Sequence, residues 1–160
     1  MSMASIFKQI LTVMFVIGIC VIVFVLGSML FMYRQLEDSL YLVNSATYTA
    51  IDLETIRDKN TLTFKDKAKA ELMFRQALQN TFSLDDQLKP TSASSAAIAG
   101  PIHIKTLTLK NENETAMLGG VQINKNPAVY SEIQVPIKLP GVPKTFISNV
   151  KMLTLIGTSY

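Results

Sequence analysis

Read for its apolar and polar positions, the chain changes period twice. From Ile10 to Met32 the stretch ILTVMFVIGICVIVFVLGSMLFM runs for 23 residues without a charge. As a helix rising about 1.5 Å per residue it matches the roughly 30 Å hydrocarbon core of a bilayer. A cleaved signal peptide competes with this reading, but its apolar core usually spans about 7 to 15 residues and ends at small residues. Here the run passes directly into Tyr33 and Arg34. A retained transmembrane helix over 10–33 is expected, after a short cytoplasmic start at 1–9.

Beyond Arg34, apolar or small residues recur at three- and four-residue steps through Leu36, Leu40, Val43, Thr47, Ala50 and Ile51, with no proline or glycine between them. The pattern predicts that the helix continues to about Thr55, giving about 50 residues where ten to fourteen is usual, a length associated with spanning or assembly. A second helix is signalled by Thr63, an N-cap candidate with Asp66 three residues on. In the following FKDKAKAELMFRQALQNTF, residues Phe64, Ala68, Leu72, Leu78 and Phe82 share a face, and Asp58–Thr61 is left as the turn. Residues 34–88 are thus helical extension and second helix. The alternating charges of KDKAKAE read as a solvated helix face.

Residues 89–100, KPTSASSAAIAG, have the composition of a Ser/Ala-rich linker. From 101 to 160 the period falls to two. IHIKTLTLK, VQI, VYSEIQVPIKL and VKMLTLIGTSY read as antiparallel strands, with Val129, Ile133, Val135, Ile137 and Leu139 on one side. Pro136 has no amide proton, which predicts an edge strand or a bulge. Pro140, Gly141 and Pro143 mark a turn before the last strand, and Gly119-Gly120 another before VQI. The expected fold class is α+β: an N-terminal transmembrane helix extending into a long helix, a second helix, then a small antiparallel sheet of three to four strands.

Composition changes this picture little. The apolar content of 49% is concentrated near the start, and the rest resembles a water-soluble unit. The net charge of +3 comes from Lys and Arg interspersed with Asp and Glu, so no basic stripe tracks phosphates and nucleic acid is not an expected partner. Cys20 is the single cysteine, which excludes an internal disulfide or a cysteine-based zinc site. It lies in the apolar run after Ile19, where a lipoprotein signal needs a small residue, and reads as a packing residue. Gly18, Gly27 and Ser28 would let another helix approach closely, although their spacing is not GxxxG. Lys8 and the terminal amine before the span, against Arg34 with Glu37 and Asp38 after it, place the N-terminus inside and the remainder outside.

Candidate chemistry is sparse. His103, the only histidine, would have to serve any Ser/His/Asp triad, but in IHIKTL it reads as an exposed strand residue. The carboxylate pairs Asp85 and Asp86, and Asp52 and Glu54, fit no EF-hand spacing. No Gly-rich phosphate loop, HExxH or GxSxG occurs, so no catalytic, cofactor-binding or metal residue is assigned, and a membrane-bound hydrolase is the least favoured function. Asn113-Glu114-Thr115 matches the N-glycosylation acceptor rule in polar surroundings, KNENET. A triplet this short also arises by chance, and a bacterial cell usually leaves it unmodified.

The order of elements resembles TadE-like and type IV pilin-like proteins, in which a short cytoplasmic start precedes one hydrophobic helix and a small α+β head. The ending AVYSEIQVPIKLPGVPKTFISNVKMLTLIGTSY looks like the strand, loop and final strand of TadE-like minor pilins. MSMASIFKQILTVMF carries neither the glycine nor the early glutamate of pilin-like precursors, which sets it apart from the pattern that a prepilin peptidase reads. The resemblance implies a noncatalytic, membrane-anchored subunit of a pilus or secretion-type surface assembly. Its partners would be membrane lipid and the helices of the same or related subunits in a homo- or hetero-oligomer, without a cofactor. The assembly interface expected on the helix is Met14, Ile17, Val21, Val25, Met29, Met32, Leu36, Leu40 and Val43. Two alternatives stay open: the outer half of the helix packs on its own sheet, and the chain is a single-pass accessory protein that binds a partner without forming a filament.

Overall fold

A 44-residue helix, α1 (Met3–Ala46), opens the computed structural model, which describes residues 3–52, 54, 56–57, 61–139 and 141–156. The chain forms two units, Met1–Arg34 and Gln35–Tyr160. The described residues of the first are helix alone. Its hydroxyls fold back on their own backbone, Thr12 Oγ1 donating to Lys8 O and Ser28 Oγ to Phe24 O, both at 2.9 Å. Polar groups satisfied within the helix suit a segment that has no water around it.

The second unit is α+β. It holds the end of α1, a 3-10 turn (Thr47–Ala50), α2 (Lys67–Phe82), and strands β1 (His103–Lys110), β2 (Ala116–Leu118), β3 (Val121–Ile123), β4 (Ala128–Lys138) and β5 (Thr145–Leu155). Helix α1 stops at Ala46, short of the expected Thr55, which itself lies outside the described residues. The reason is local. Thr47 Oγ1 donates to Asn44 O (2.6 Å) and Thr49 Oγ1 to Ala46 O (2.8 Å), competing with the helical backbone. Thr47 and Ala50 stay buried through the tighter turn, so the apolar period outlasts the helix that it appeared to mark.

The cap of α2 is Asp66, whose carboxylate accepts from Lys69 N, rather than Thr63. Backbone before it is already committed elsewhere: Thr63 O accepts from Asp52 N, and Phe64 N donates to Asn111 Oδ1 at 2.8 Å. The buried face is Ala70, Phe74, Leu78 and Phe82, four apart, and Ala68 and Leu72 are exposed. Of the turn expected at Asp58–Thr61, only Thr61 is within the described residues.

The main sheet has the order β1-β4-β5, antiparallel throughout, and β2-β3 forms a separate hairpin. Strand β4 alternates as its sequence demands. Val129, Ile133, Val135 and Ile137, with Leu139 just beyond, are buried, and Val129 joins Leu109, Ala50, Phe64 and Ala70 in one cluster. Burying each such side chain contributes about 1.5–3 kcal/mol. On the opposite face Ala128 and Tyr130 are buried beneath Leu118 of the hairpin.

Pro136 departs from expectation, because it lies in the central strand. Its carbonyl accepts from Ala99 N (2.8 Å), and Lys138 N donates to Ala97 O (2.8 Å), so this side of β4 faces a segment that replaces β1 beyond its paired end. In an antiparallel strand a residue's N and O point the same way, so the missing proton costs no bond to β5. The bulge lies instead in β1, where the register shifts between Ile104 and Thr106. The expected linker at 89–100 is consequently part of the sheet's edge: Ile98 is buried, and Thr91 and Ser94 hydroxyls donate to Ser83 O at 2.7 and 2.6 Å. Strand β5 starts at Thr145, earlier than VKMLTL, and β2 adds a strand where only VQI was expected.

Gly119 and Gly120 join β2 to β3 with φ of +59° and +84°, the conformation of a two-residue hairpin turn. At Gly119 a Cβ would lie 2.7 Å from Tyr130 Cε2 as well, whereas nothing lies within 4 Å at Gly120. Gly119→Ala is expected to destabilise the unit by about 2–3 kcal/mol, combining left-handed strain with displacement of a buried ring. Gly120→Ala carries the strain term alone, about 1–2 kcal/mol. Paired urea titrations read the difference; equal losses would contradict the Tyr130 contact.

Candidate assembly surface on the N-terminal helix

The nine positions expected to form an assembly interface fall into two groups. Met14, Ile17, Val21 and Met29 are exposed, Met14 at 66%, and Val25 and Met32 are half-buried. Leu36, Leu40 and Val43 are buried at 7%, 0% and 0% within the chain itself. That part of the row packs at home, and a partner is left with Met14 to Met32.

The exposed part is not a stripe. Phe15, Ile22, Phe24, Leu30 and Phe31 are uncovered too, Phe24 at 69%. A helix apolar all round belongs in a core or a membrane, and none of the most apolar window of this one is buried within the chain. It is the one described helix long and apolar enough to cross a bilayer. The Cys20 thiol is exposed on this surface, and the positions of Gly18 and Gly27 are open. The concavities along Ser5–Val13 and Leu11–Phe15 are shallow hollows on the side of a single helix.

Below Arg34 the helix end is held to the sheet by a polar seam that periodicity did not predict. Asn44 is fully buried; its Nδ2 donates to Thr154 Oγ1 (3.0 Å) and Met152 O (3.3 Å), and its Oδ1 accepts from Ser131 Oγ (2.7 Å). Ser131 and Thr154 are buried as well. The Tyr48 hydroxyl, beside Thr154, is buried, and that burial foremost pushes its pKa up to about 12. Such a seam fixes register, because sliding the helix would leave buried polar groups unpaired at about 1–3 kcal/mol each. The one sequence signal was Asn44 itself, a polar residue beside Val43 on the apolar row.

The residues weighed for catalysis do not converge. His103 is exposed on the sheet opposite Gln134. Asp85 Oδ1 accepts from Gln87 N and Lys89 N (2.8 Å each), shaping a turn, and Asp52 and Glu54 flank Lys65 at 4.0 and 3.3 Å. Among the described residues no group of three or more His, Cys, Asp or Glu could hold a metal ion. Lys110, 1% exposed, donates from Nζ to Asn126 O (2.8 Å) and Asn111 O (3.1 Å) and so closes a loop.

With this geometry in view, comparison with known proteins gives a plain result. No protein family, curated protein or solved structure matches the chain.

One titration follows from the same loop. Glu114 accepts from Asn111 N (3.1 Å) and Asn111 Nδ2 (2.8 Å), and the backbone bond foremost holds its pKa below the ordinary carboxylate value. A depressed pKa stabilises the fold above the unfolded value and loses that contribution as pH falls through the folded one. Glu114→Gln should therefore flatten part of the acid side of the stability profile without altering the neutral plateau's shape. Superimposable acid limbs would contradict the bond.

Proposed function

We propose that the chain is a noncatalytic, membrane-anchored subunit of a pilus- or secretion-type surface assembly. Residues 10–33 cross the bilayer, the N-terminus is cytoplasmic, and the unit from Gln35 onward is the exposed head. The observation that carries this reading is the division of α1 at Arg34: in the apolar run before it no described residue is buried within the chain, and after it Leu36, Leu40 and Val43 are. An anchor alone needs only lipid. A head this small with no convergent catalytic set acts through its surfaces, and Met14, Ile17, Val21, Val25, Met29 and Met32 are the helix positions offered to neighbouring subunits.

The burial of Leu36, Leu40 and Val43 favours a second reading, because it shortens the row available to neighbours. In that reading the chain is a single-pass accessory protein whose head binds a partner without a filament. Single cysteines at Ile17, Val21, Phe15 and Ile22, in a Cys20→Ala background, separate the two in native membranes. Assembly predicts oxidative adducts at Ile17 and Val21 in preference to Phe15 and Ile22, with the chain present in sheared surface fibres. Adducts at none of the four, with recovery only as a monomer or small complex, would leave the accessory reading.

A further inference from the structure

The loop between β1 and β2 carries a motif that neither the anchor nor the sheet uses. Asn113-Glu114-Thr115 satisfies the acceptor rule for N-glycosylation, with a residue other than proline in the middle. We propose that Asn113 is an acceptor for an N-linked oligosaccharide, delivered from a lipid-diphosphate-linked donor on the side of the membrane that the head occupies.

The surroundings favour the reaction. Asn113, Glu114 and Thr115 are all exposed. The loop is pinned on either side of the acceptor amide: Asn113 N donates to Lys125 O (3.0 Å), Glu112 N to Leu62 O (3.0 Å), and Asn111 binds both Glu114 and Phe64 N. Asn113 itself sits at φ +63°, which turns it out of the strand direction. Among the described residues neither its carboxamide nor the Thr115 hydroxyl takes part in a hydrogen bond. Glu114, drawn back to Asn111, leaves both flanking groups unobstructed. Asn44 offers the contrast: its carboxamide is buried and fully engaged, and no hydroxyl residue stands two positions on.

In the reaction Asn113 Nδ2 forms a bond to the anomeric carbon of the donor sugar. The bond from that carbon to the diphosphate oxygen breaks, the lipid diphosphate leaves with the electron pair, and one amide proton passes to a base of the transferase. No redox partner is needed. The product is a bulky polar group on an exposed loop, where it displaces no buried contact.

This inference rests on the proposed orientation, and the test separates the two. The full chain is translated with microsomes that hold an oligosaccharyltransferase and its lipid-linked donor. Expected is a slower band, one glycan heavier, that collapses with endoglycosidase, disappears in Asn113→Gln and in Thr115→Ala, and persists in Thr115→Ser. A parallel variant adds Pro143→Asn to Asn113→Gln, building a second acceptor with Lys144 and Thr145, all at exposed positions. A glycan on that variant with none on the wild type would overturn the Asn113 site while upholding the orientation. Glycan on neither would overturn the orientation, and the site with it.

Discussion

Replacing Ile17 and Val21 together by Asp is expected to release the chain from the membrane fraction. Each aspartate near the centre of a spanning helix disfavours insertion by about 2.5–3.5 kcal/mol, so the pair costs about 5–7 kcal/mol. The remaining Leu, Ile, Val and Phe residues of the run favour insertion by only about 0.3–0.6 kcal/mol each, which brings the balance near zero. Both positions are exposed, so no packing within the chain is disturbed and the head should fold unchanged. Alkaline carbonate extraction reads the outcome. The wild type and an Ile17→Leu, Val21→Leu control stay in the pellet and the double Asp variant leaves it; a double Asp variant as resistant as the control would mean that the helix does not lie in lipid.

The second large effect is in the core of the head. Phe74 is fully buried on α2, and truncation to Ala should cost about 3–5 kcal/mol through lost burial and the cavity left behind. Against a total stability of about 5–15 kcal/mol, this brings a small unit close to unfolding. Leu72, exposed at 56%, sits two residues away on the other face, and Leu72→Ala should change stability by less than about 0.5 kcal/mol. Urea titration of the full chain in detergent, followed by tyrosine fluorescence, compares the two. A greater loss at Leu72 than at Phe74 would reverse the assigned face of α2.

Period alone found a helix over this stretch but placed Ala68 and Leu72 on its buried face, each two residues and therefore about 200° away from Ala70 and Phe74. The start was set by remote partners: Asn111 holding Phe64 N, and Asp52 bonded to Thr63 O. The end of α1 was hidden for a related reason, since Thr47 and Ala50 remain buried whether the backbone is α-helical or 3-10. Strand β4 was legible because alternation over 11 residues leaves one way to bury Val129, Ile133, Val135 and Ile137. Pro136 misled because the argument from its missing proton concerns a ladder bond, and the neighbouring strand ends before reaching it.

For the candidate surface, the apolar run and its uncovered state were legible, whereas its extent was not. Leu36, Leu40 and Val43 carry the same residue types as Met14 to Met32, and only their burial within the chain distinguishes them. The seam at Asn44 was illegible because Ser131 and Thr154 lie 87 and 110 residues away along the chain. A polar residue on an apolar row announces that a partner exists without naming it.

In the proposed reading the helix crosses the membrane and leaves the two ends of the chain on opposite sides. Thiol labelling of intact cells tests it directly, using Cys20→Ala with either Met3→Cys or Ala96→Cys, both at exposed positions. The prediction is that an impermeant maleimide labels Ala96→Cys from outside and reaches Met3→Cys only after permeabilisation. Labelling of Met3→Cys in intact cells with Ala96→Cys protected would reverse the orientation, and equal labelling of both would contradict a spanning helix.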